Sequence, residues 1–271
     1  MSKRPSGHVA RKRFGQNFLH DPSVIAHIIA AIHPKPEDHL VEIGPGLGAL
    51  TEEILVQSGA LEAIELDRDL IPILRTKFFR YEEKFQIHEA DALKFDFSAL
   101  KTDDRQLRIL GNLPYNISTP LIFHLLSFSG LISDMHFMLQ KEVVERLAAQ
   151  PGDSSYGRLS IMAQYFCAVE NLFLVPPSAF KPAPKVHSAI VRLMPHKQLP
   201  IETSNLPLFQ DVVRTAFNQR RKTLRNNLKP LINVEQLTAI DIDPSERPER
   251  LSLAEFVRIA DTIDLSRKQG Q

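Results

Sequence analysis

Short apolar runs alternate with helical patterns from residue 39 to residue 139, and this alternation constrains the fold more than any other feature. His39–Ile43, Leu61–Leu66, Phe85–Glu89, Leu107–Leu110 and Met135–Leu139 read as five strands. Helical patterns lie between them, carried by Leu50, Ile54 and Leu55, then by 69–79, then by a helix opening at Thr119-Pro120 and running to Leu126. Strands joined by helices pair in parallel, because a parallel connection must cross back over the sheet. The expectation is a Rossmann-like α/β domain with a mostly parallel sheet and helices on both faces.

Before this block, Asp21-Pro22 predicts a helix start with Ile25, Ile28, Ile29 and Ile32 on one face, ending near Pro34. After it come helices over 142–149 and 158–166, then two late strands over 168–175 and 188–194, expected as a hairpin-like pair. A Pro-containing link over 195–208 marks the domain boundary, and the remainder is helical, punctuated by Pro230, Pro244 and Pro248. The predicted domains are 1–195 and a small all-α domain at 196–271.

The C-terminal ends of the strands collect the chemistry. Gly44-Pro45-Gly46-Leu47-Gly48 joins the first strand to its helix, where glycines let the backbone approach a ligand. Gly44 and Gly46 are the expected contacts. Glu65 closes the second strand, where a carboxylate holds ribose hydroxyls. With Ala49 the loop also fits the dinucleotide pattern G-x-G-x-x-A, so a nicotinamide enzyme remains a competing reading. Asp91 follows the third strand, placed to accept from an adenine amino group.

Asn112-Leu113-Pro114-Tyr115 follows the fourth strand behind Gly111. The Asn112 oxygen and the Leu113 carbonyl supply two acceptors for an exocyclic amine. Tyr115 supplies a π-face, and Pro114 holds them in register. An ordinary strand-to-loop turn uses the same residue types. Four such features at successive strand ends point to one crevice, and together they favour S-adenosylmethionine over a nicotinamide.

The net charge of +1 hides a segregation. Residues 1–20, 177–197 and 214–229 hold fifteen Lys and Arg and no acid, which leaves −14 on the rest. This predicts a polyanion-facing surface on an acidic body. One cysteine, Cys167, excludes an internal disulfide and fits a reducing, cytoplasmic setting. No secretory signal pattern follows the basic start. Residues 109–133 carry no formal charge over a bilayer-spanning length, but their Asn, Pro, His and Ser content argues against a membrane span. The ten histidines show no metal-ligand spacing, so no metal is expected.

Seven segments in order resemble the KsgA family, the adenine dimethyltransferases of small-subunit ribosomal RNA. They are RKRFGQNFL at 11–19, VEIGPG at 41–46, IELD at 64–67, DA at 91–92, NLPY at 112–115, FKPAPKVHS at 180–188 and FNQRRKTLR at 217–225. The resemblance implies a class I methyltransferase fold. It implies donor contacts at Asn17, Leu19, Gly44, Glu65, Asp91 and Asn112, and dimethylation at N6 of two adjacent adenosines in a hairpin near the 3′ end of 16S rRNA.

Within that frame Phe180, on an exposed and stiff proline loop with Lys181 and Lys185, is expected to sandwich the target base against Tyr115. Arg11, Lys12 and Arg13 form a basic arm anchored by Phe14, Phe18 and Leu19. A single helix over 214–229 would put Phe217, Leu224 and Leu228 inward, Lys222 and Lys229 outward, and Arg220 and Arg225 on the flanks. Arg221 falls on the apolar stripe of that helix and is expected to reach toward the larger domain. The expected partner is rRNA in the small subunit, bound by a monomer. A 23S-type methyltransferase and a noncatalytic assembly factor are the open alternatives.

Overall fold

The computed structural model describes residues 17–219 and 221–269. Arg11, Lys12, Arg13, Phe14 and Arg220 lie outside that range.

The chain opens on a two-residue strand, β1 (Phe18–Leu19), and a helix, α1 (Pro22–Ile32). The Asp21 carboxylate accepts from the Ser23 and Val24 N–H groups at 2.9 and 3.3 Å, and Pro22 takes the first helical position. Then follow β2 (His39–Ile43), α2 (Ala49–Ser58), β3 (Leu61–Glu65), α3 (Leu70–Lys77), β4 (Phe85–Glu89), β5 (Leu107–Asn112), α4 (Ser118–Leu126) and β6 (Ile132–Gln140). All five expected strands are present, within one to three residues at each end. The uncharged stretch 109–133 is β5, α4 and the start of β6, and no described helix is long and apolar enough to cross a membrane.

α5 (Lys141–Ala148), α6 (Arg158–Phe166), β7 (Cys167–Val175), β8 (Phe180–Lys181) and β9 (Ser188–Pro195) complete this half. The sheet runs β4-β3-β2-β5-β6-β9-β7. Its first five strands are parallel, with Val41 opposite Glu62, Val41 opposite Ile109, and Ile109 opposite Met135. β9 joins antiparallel, with Met135 opposite Leu193. The order reverses between β2 and β5, which leaves a crevice beyond their C-terminal ends.

Every residue of β2 is buried, as a strand covered on both faces requires. Ile28, Ile29, Ile54, Leu55, Leu74 and Phe78 pack over Leu40 and Leu110. A second layer of rings, Phe95, Phe97, His124 and Phe128, meets edge to face or tilted. On β3, next to the edge strand, the half-buried Glu62 takes bonds from His39 and His88 at 2.7 and 2.6 Å. Burial opposes ionisation of Glu62, yet the two imidazoles hold its carboxyl down at about 2. Cys167 is buried, and burial alone pushes its thiol up to about 12, so it is no nucleophile.

β1 and β8 form a separate antiparallel pair that the sequence did not predict. Leu19 faces Phe180, Phe18 faces Lys181, and the His20 N–H donates to the Ala179 carbonyl at 3.0 Å.

The chain divides into two compact units. One runs to Val144 and resumes over Glu170–Pro195, and the other comprises Glu145–Val169 and the chain from His196. One of the divisions falls between Pro195 and His196. Residues 145–169, expected in the first domain, pack with the second: Gln164 donates to the Leu147 and Ala149 carbonyls, and Tyr165 lies against Phe209.

In this second unit α7 (Leu206–Ala216), α8 (Leu224–Asn227), α9 (Val234–Ala239) and α10 (Leu253–Gln269) surround Phe209, Val212, Val213, Phe256, Ile259 and Ile263. The single helix expected over 214–229 is absent. α7 stops at Ala216, and only one turn, α8, follows after an irregular stretch. The buried Asn227 explains the break. Its amide reaches the carbonyls of Ala216, Gln219 and Lys222 at 2.7, 3.2 and 3.3 Å, satisfying groups a continuous helix would satisfy itself. Leu224 and Leu228 are buried as expected. Lys222, Arg225 and Lys229 are exposed, and so is Arg221, which the helical projection had put on the apolar stripe.

Candidate active site

The crevice at the β2/β5 reversal is a cavity of about 360 Å³, a volume suited to a small cofactor. Asn17, Leu19, Gly44, Gly46, Glu65, Asp91 and Asn112, the seven residues expected to hold a donor, all line it. Leu113, Pro114 and Tyr115 line it as well. Gly44 and Gly46 have φ of 67° and 59°, a left-handed geometry that a side chain would strain. Gly111 allows β5 to close on β2, because a Cβ there would stand 2.4 Å from the Ile43 carbonyl oxygen.

The acidic residues are held with some oxygens already used. Glu65 is buried and accepts the Asp67 N–H at 2.8 Å through one oxygen and the Gly46 N–H at 3.4 Å through the other. Burial raises its pKa above 4.5 against those two bonds. The bond to Gly46 is long and therefore the weaker of the two. Asp91 accepts the Leu93 N–H at 3.0 Å through Oδ1.

Asn112 donates its amide N–H to the Asn17 carbonyl at 3.1 Å. Fixing the nitrogen on that side turns the amide oxygen to the opposite side. The Leu113 N–H donates to the Met138 carbonyl at 3.2 Å, and the Leu113 side chain is buried, so the motif is seated on β6. Tyr115 is half-buried, with its hydroxyl 2.8 Å from Ser188 Oγ. Burial raises the phenol above 10, so it stays neutral.

Phe180 departs from expectation. It is 3% exposed, packs with the Leu19, Val175 and Ile190 core, and is not in the cavity lining. Its pairing with β1 turns it inward, while Lys181 and Lys185 beside it are exposed. The described residues hold no group of His, Cys, Asp or Glu able to bind a metal.

Several lining residues were given no site role from sequence. Ile43, Ile64, Leu66, Leu70 and Ala92 supply apolar walls, and in sequence they look like ordinary core. Glu42 also lines the cavity, 2% exposed, and accepts from the Thr51 hydroxyl at 2.5 Å. Burial pushes its carboxyl up to about 7 against that bond. An acid inside the apolar run HLVEI was the available signal.

A family model, ribosomal RNA adenine dimethylase, matches residues 7–265. The chain belongs to the ribosomal RNA adenine dimethylase family. Its relatives include the ribosomal RNA small subunit methyltransferase A of Marinobacter nauticus, 69% identical over 95% of this chain and 92% of that protein. The protein of the same name from Hahella chejuensis is 65% identical over 95% of this chain and 94% of its own length. Among solved structures, a dimethyladenosine transferase from Plasmodium falciparum superposes with a TM-score of 0.77 at 29% identity, covering 93% of this chain and 98% of that one. The 23S rRNA methyltransferase ErmE, at 24% identity, TM-score 0.70 and coverage of 92% and 100%, shares the fold. Members of this dimethylase family take their methyl groups from S-adenosylmethionine, so the chain is an S-adenosylmethionine-dependent enzyme acting on rRNA, and the nicotinamide reading falls. The cavity fits that donor: glycine backbone at one wall, two carboxylates for hydroxyl and amino groups, and apolar walls for a flat base.

Proposed function

We propose that this chain dimethylates N6 of two adjacent adenosines in a hairpin near the 3′ end of 16S rRNA during small-subunit assembly, acting as a cytoplasmic monomer. The observation that carries this reading is that Asn112, Leu113, Pro114 and Tyr115 line the same cavity as the six other proposed donor contacts. Bound S-adenosylmethionine supplies an electrophilic methyl group on a sulfonium sulfur. Gly44 and Gly46 would give it backbone room, Glu65 would accept from its ribose hydroxyls and Asp91 from its adenine amine, with Asn17 and Leu19 among the residues that would hold it.

The chain's remaining task is to make a poor nucleophile reactive. The N6 lone pair of adenine is delocalised into the ring. The Asn112 oxygen and the Leu113 carbonyl accept its two N–H groups and draw the nitrogen toward tetrahedral geometry, an interaction stronger in the transition state than before it. Pro114 holds the two acceptors in register, so that the amine they grip would meet the donor's methyl group in line. The ammonium formed is acidic and loses its proton to water, so no general base is required.

The target base leaves its stack to enter and lies on Tyr115, a contact worth about 1–3 kcal/mol. Because Phe180 is buried, stacking is assigned to Tyr115 alone, and Phe180 supports the loop beneath. Lys181, Lys185, Arg221, Lys222 and Arg225 are exposed cations suited to phosphate contacts, which set register and affinity. The test is methyl transfer to small-subunit particles and to 23S rRNA, with the modified positions mapped by mass spectrometry. Dimethyladenosine at adjacent positions near the 16S 3′ end is expected. Modification of 23S rRNA alone, or of neither, overturns the proposal.

A further inference from the structure

We infer that Ser188 is a positioning residue for methyl transfer, holding the Tyr115 ring in the orientation that receives the target base. The inference rests on the function proposed above and adds a residue to it.

Ser188 is fully buried and opens β9. It pairs with Gln140 at the end of β6, and the neighbouring His187 carbonyl accepts the Lys141 N–H at 3.0 Å. Both sides of Ser188 are therefore tied to the point where β6 runs into α5. Two residues back along β6, the Met138 carbonyl receives the Leu113 N–H. One strand end thus seats the acceptor peptide of Asn112-Leu113-Pro114-Tyr115 and, through Ser188, the tip of its aromatic ring.

A tyrosine side chain has two soft torsions. Its peptide fixes only where the ring starts, and Ser118 Oγ, bonded to the Tyr115 carbonyl at 3.1 Å, secures that start. The hydroxyl contact to Ser188 at 2.8 Å fixes where the ring ends. A stacking face that swings forfeits contact area with the base, and the in-line geometry of N6 depends on where the base rests. The bond spans 73 residues of sequence, and a buried serine at a strand start reads as unremarkable packing until the fold is known.

The test compares Ser188→Ala, Tyr115→Phe and the double variant. Each single change removes the same bond from one side, and Tyr115→Phe does so without disturbing β9. Each is expected to lower kcat/KM for RNA by about five-fold, the effect of one hydrogen bond. The donor dissociation constant should remain within two-fold of the unchanged chain, roughly the scatter of such measurements. The double variant should lose no more than either single one. A serine that merely fills the core would alter melting temperature without this coupling.

A readout independent of chemistry uses a hairpin RNA with 2-aminopurine in place of the target adenosine. Its fluorescence in complex should be higher for Ser188→Ala than for the unchanged chain, because stacking on the ring is loosened. Multiplicative losses in the double variant, or equal fluorescence in the two complexes, overturn the inference. Absence of methyl transfer by the unchanged chain, with the fluorescence difference present, overturns the proposed function and leaves the positioning role standing.

Discussion

Replacing Gly111 with alanine tests the geometry of the crevice directly. The added Cβ would stand 2.4 Å from the Ile43 carbonyl oxygen, against an ordinary contact of 3.4 Å or more. That oxygen belongs to the β2 backbone and cannot swing away as a side-chain tip can. The strands must part by roughly 1 Å, a displacement that costs about 1–3 kcal/mol when a tight core is overfilled. A melting-point drop on the order of 5 °C follows for a chain of this size. The larger effect is on catalysis. Gly44 follows Ile43 on one side and Asn112 follows Gly111 on the other, so the shift separates the proposed donor wall from the proposed acceptor amide. Misplacement of about 1 Å lowers turnover by about 100-fold. Radiolabelled methyl transfer, a donor-binding titration and a thermal melt measure the three quantities. Gly130→Ala is the control, because a Cβ there meets nothing within 4 Å. Native melting point and native turnover for Gly111→Ala would refute the close-approach argument.

Asn112→Ala should abolish methyl transfer to less than about 1% while the circular dichroism spectrum stays native; retained activity would remove Asn112 from its role. Glu42→Gln tests the buried acid through pH. Burial first, with Glu65 adding and Thr51 and Lys77 opposing, raises its pKa from 4.5 to about 7, so the folded chain binds this proton more tightly than the unfolded chain. Stability therefore falls as pH rises from about 4.5 to about 7 and is flat above. The glutamine variant should lose that slope and exceed the parent at pH 8 by on the order of 3 kcal/mol in urea melts, and parallel curves would count against it. Lys222→Glu with Arg225→Glu should weaken RNA binding and reduce the slope of log affinity against log salt by roughly one per lost phosphate contact, whereas an unchanged slope excludes that surface.

The strand–helix alternation, the parallel sheet and the cavity-lining strand ends were legible because each is written in local pattern. A period of two or of 3.6, a glycine run or a proline carries its meaning within about ten residues. Gly44, Gly46, Glu65, Asp91 and Asn112 line one cavity for the same reason: parallel strands deliver their C-terminal ends to one edge. Asn17 and Leu19 reach it through the β1–β8 pair instead.

The failures share the opposite cause. Projecting 214–229 onto one helix ignored that Asn227 could reach back to Ala216, an interaction that the helical period does not encode. Reading Phe180 as exposed relied on its proline-rich neighbours and missed the pairing with Leu19, 161 residues earlier in sequence. Residues 145–169 pack with the helical unit although they precede the proline link. By itself, then, the order of residues determined the alternating strands and helices of the parallel sheet, the family they belong to and which residues stand at the strand ends. The tertiary structure decided which side chains line the cavity, that the Tyr115 hydroxyl meets Ser188 and that burial pushes the Glu42 carboxyl up. Those outcomes depend on burial and on partners far along the chain, and such quantities exist only once the strands have met.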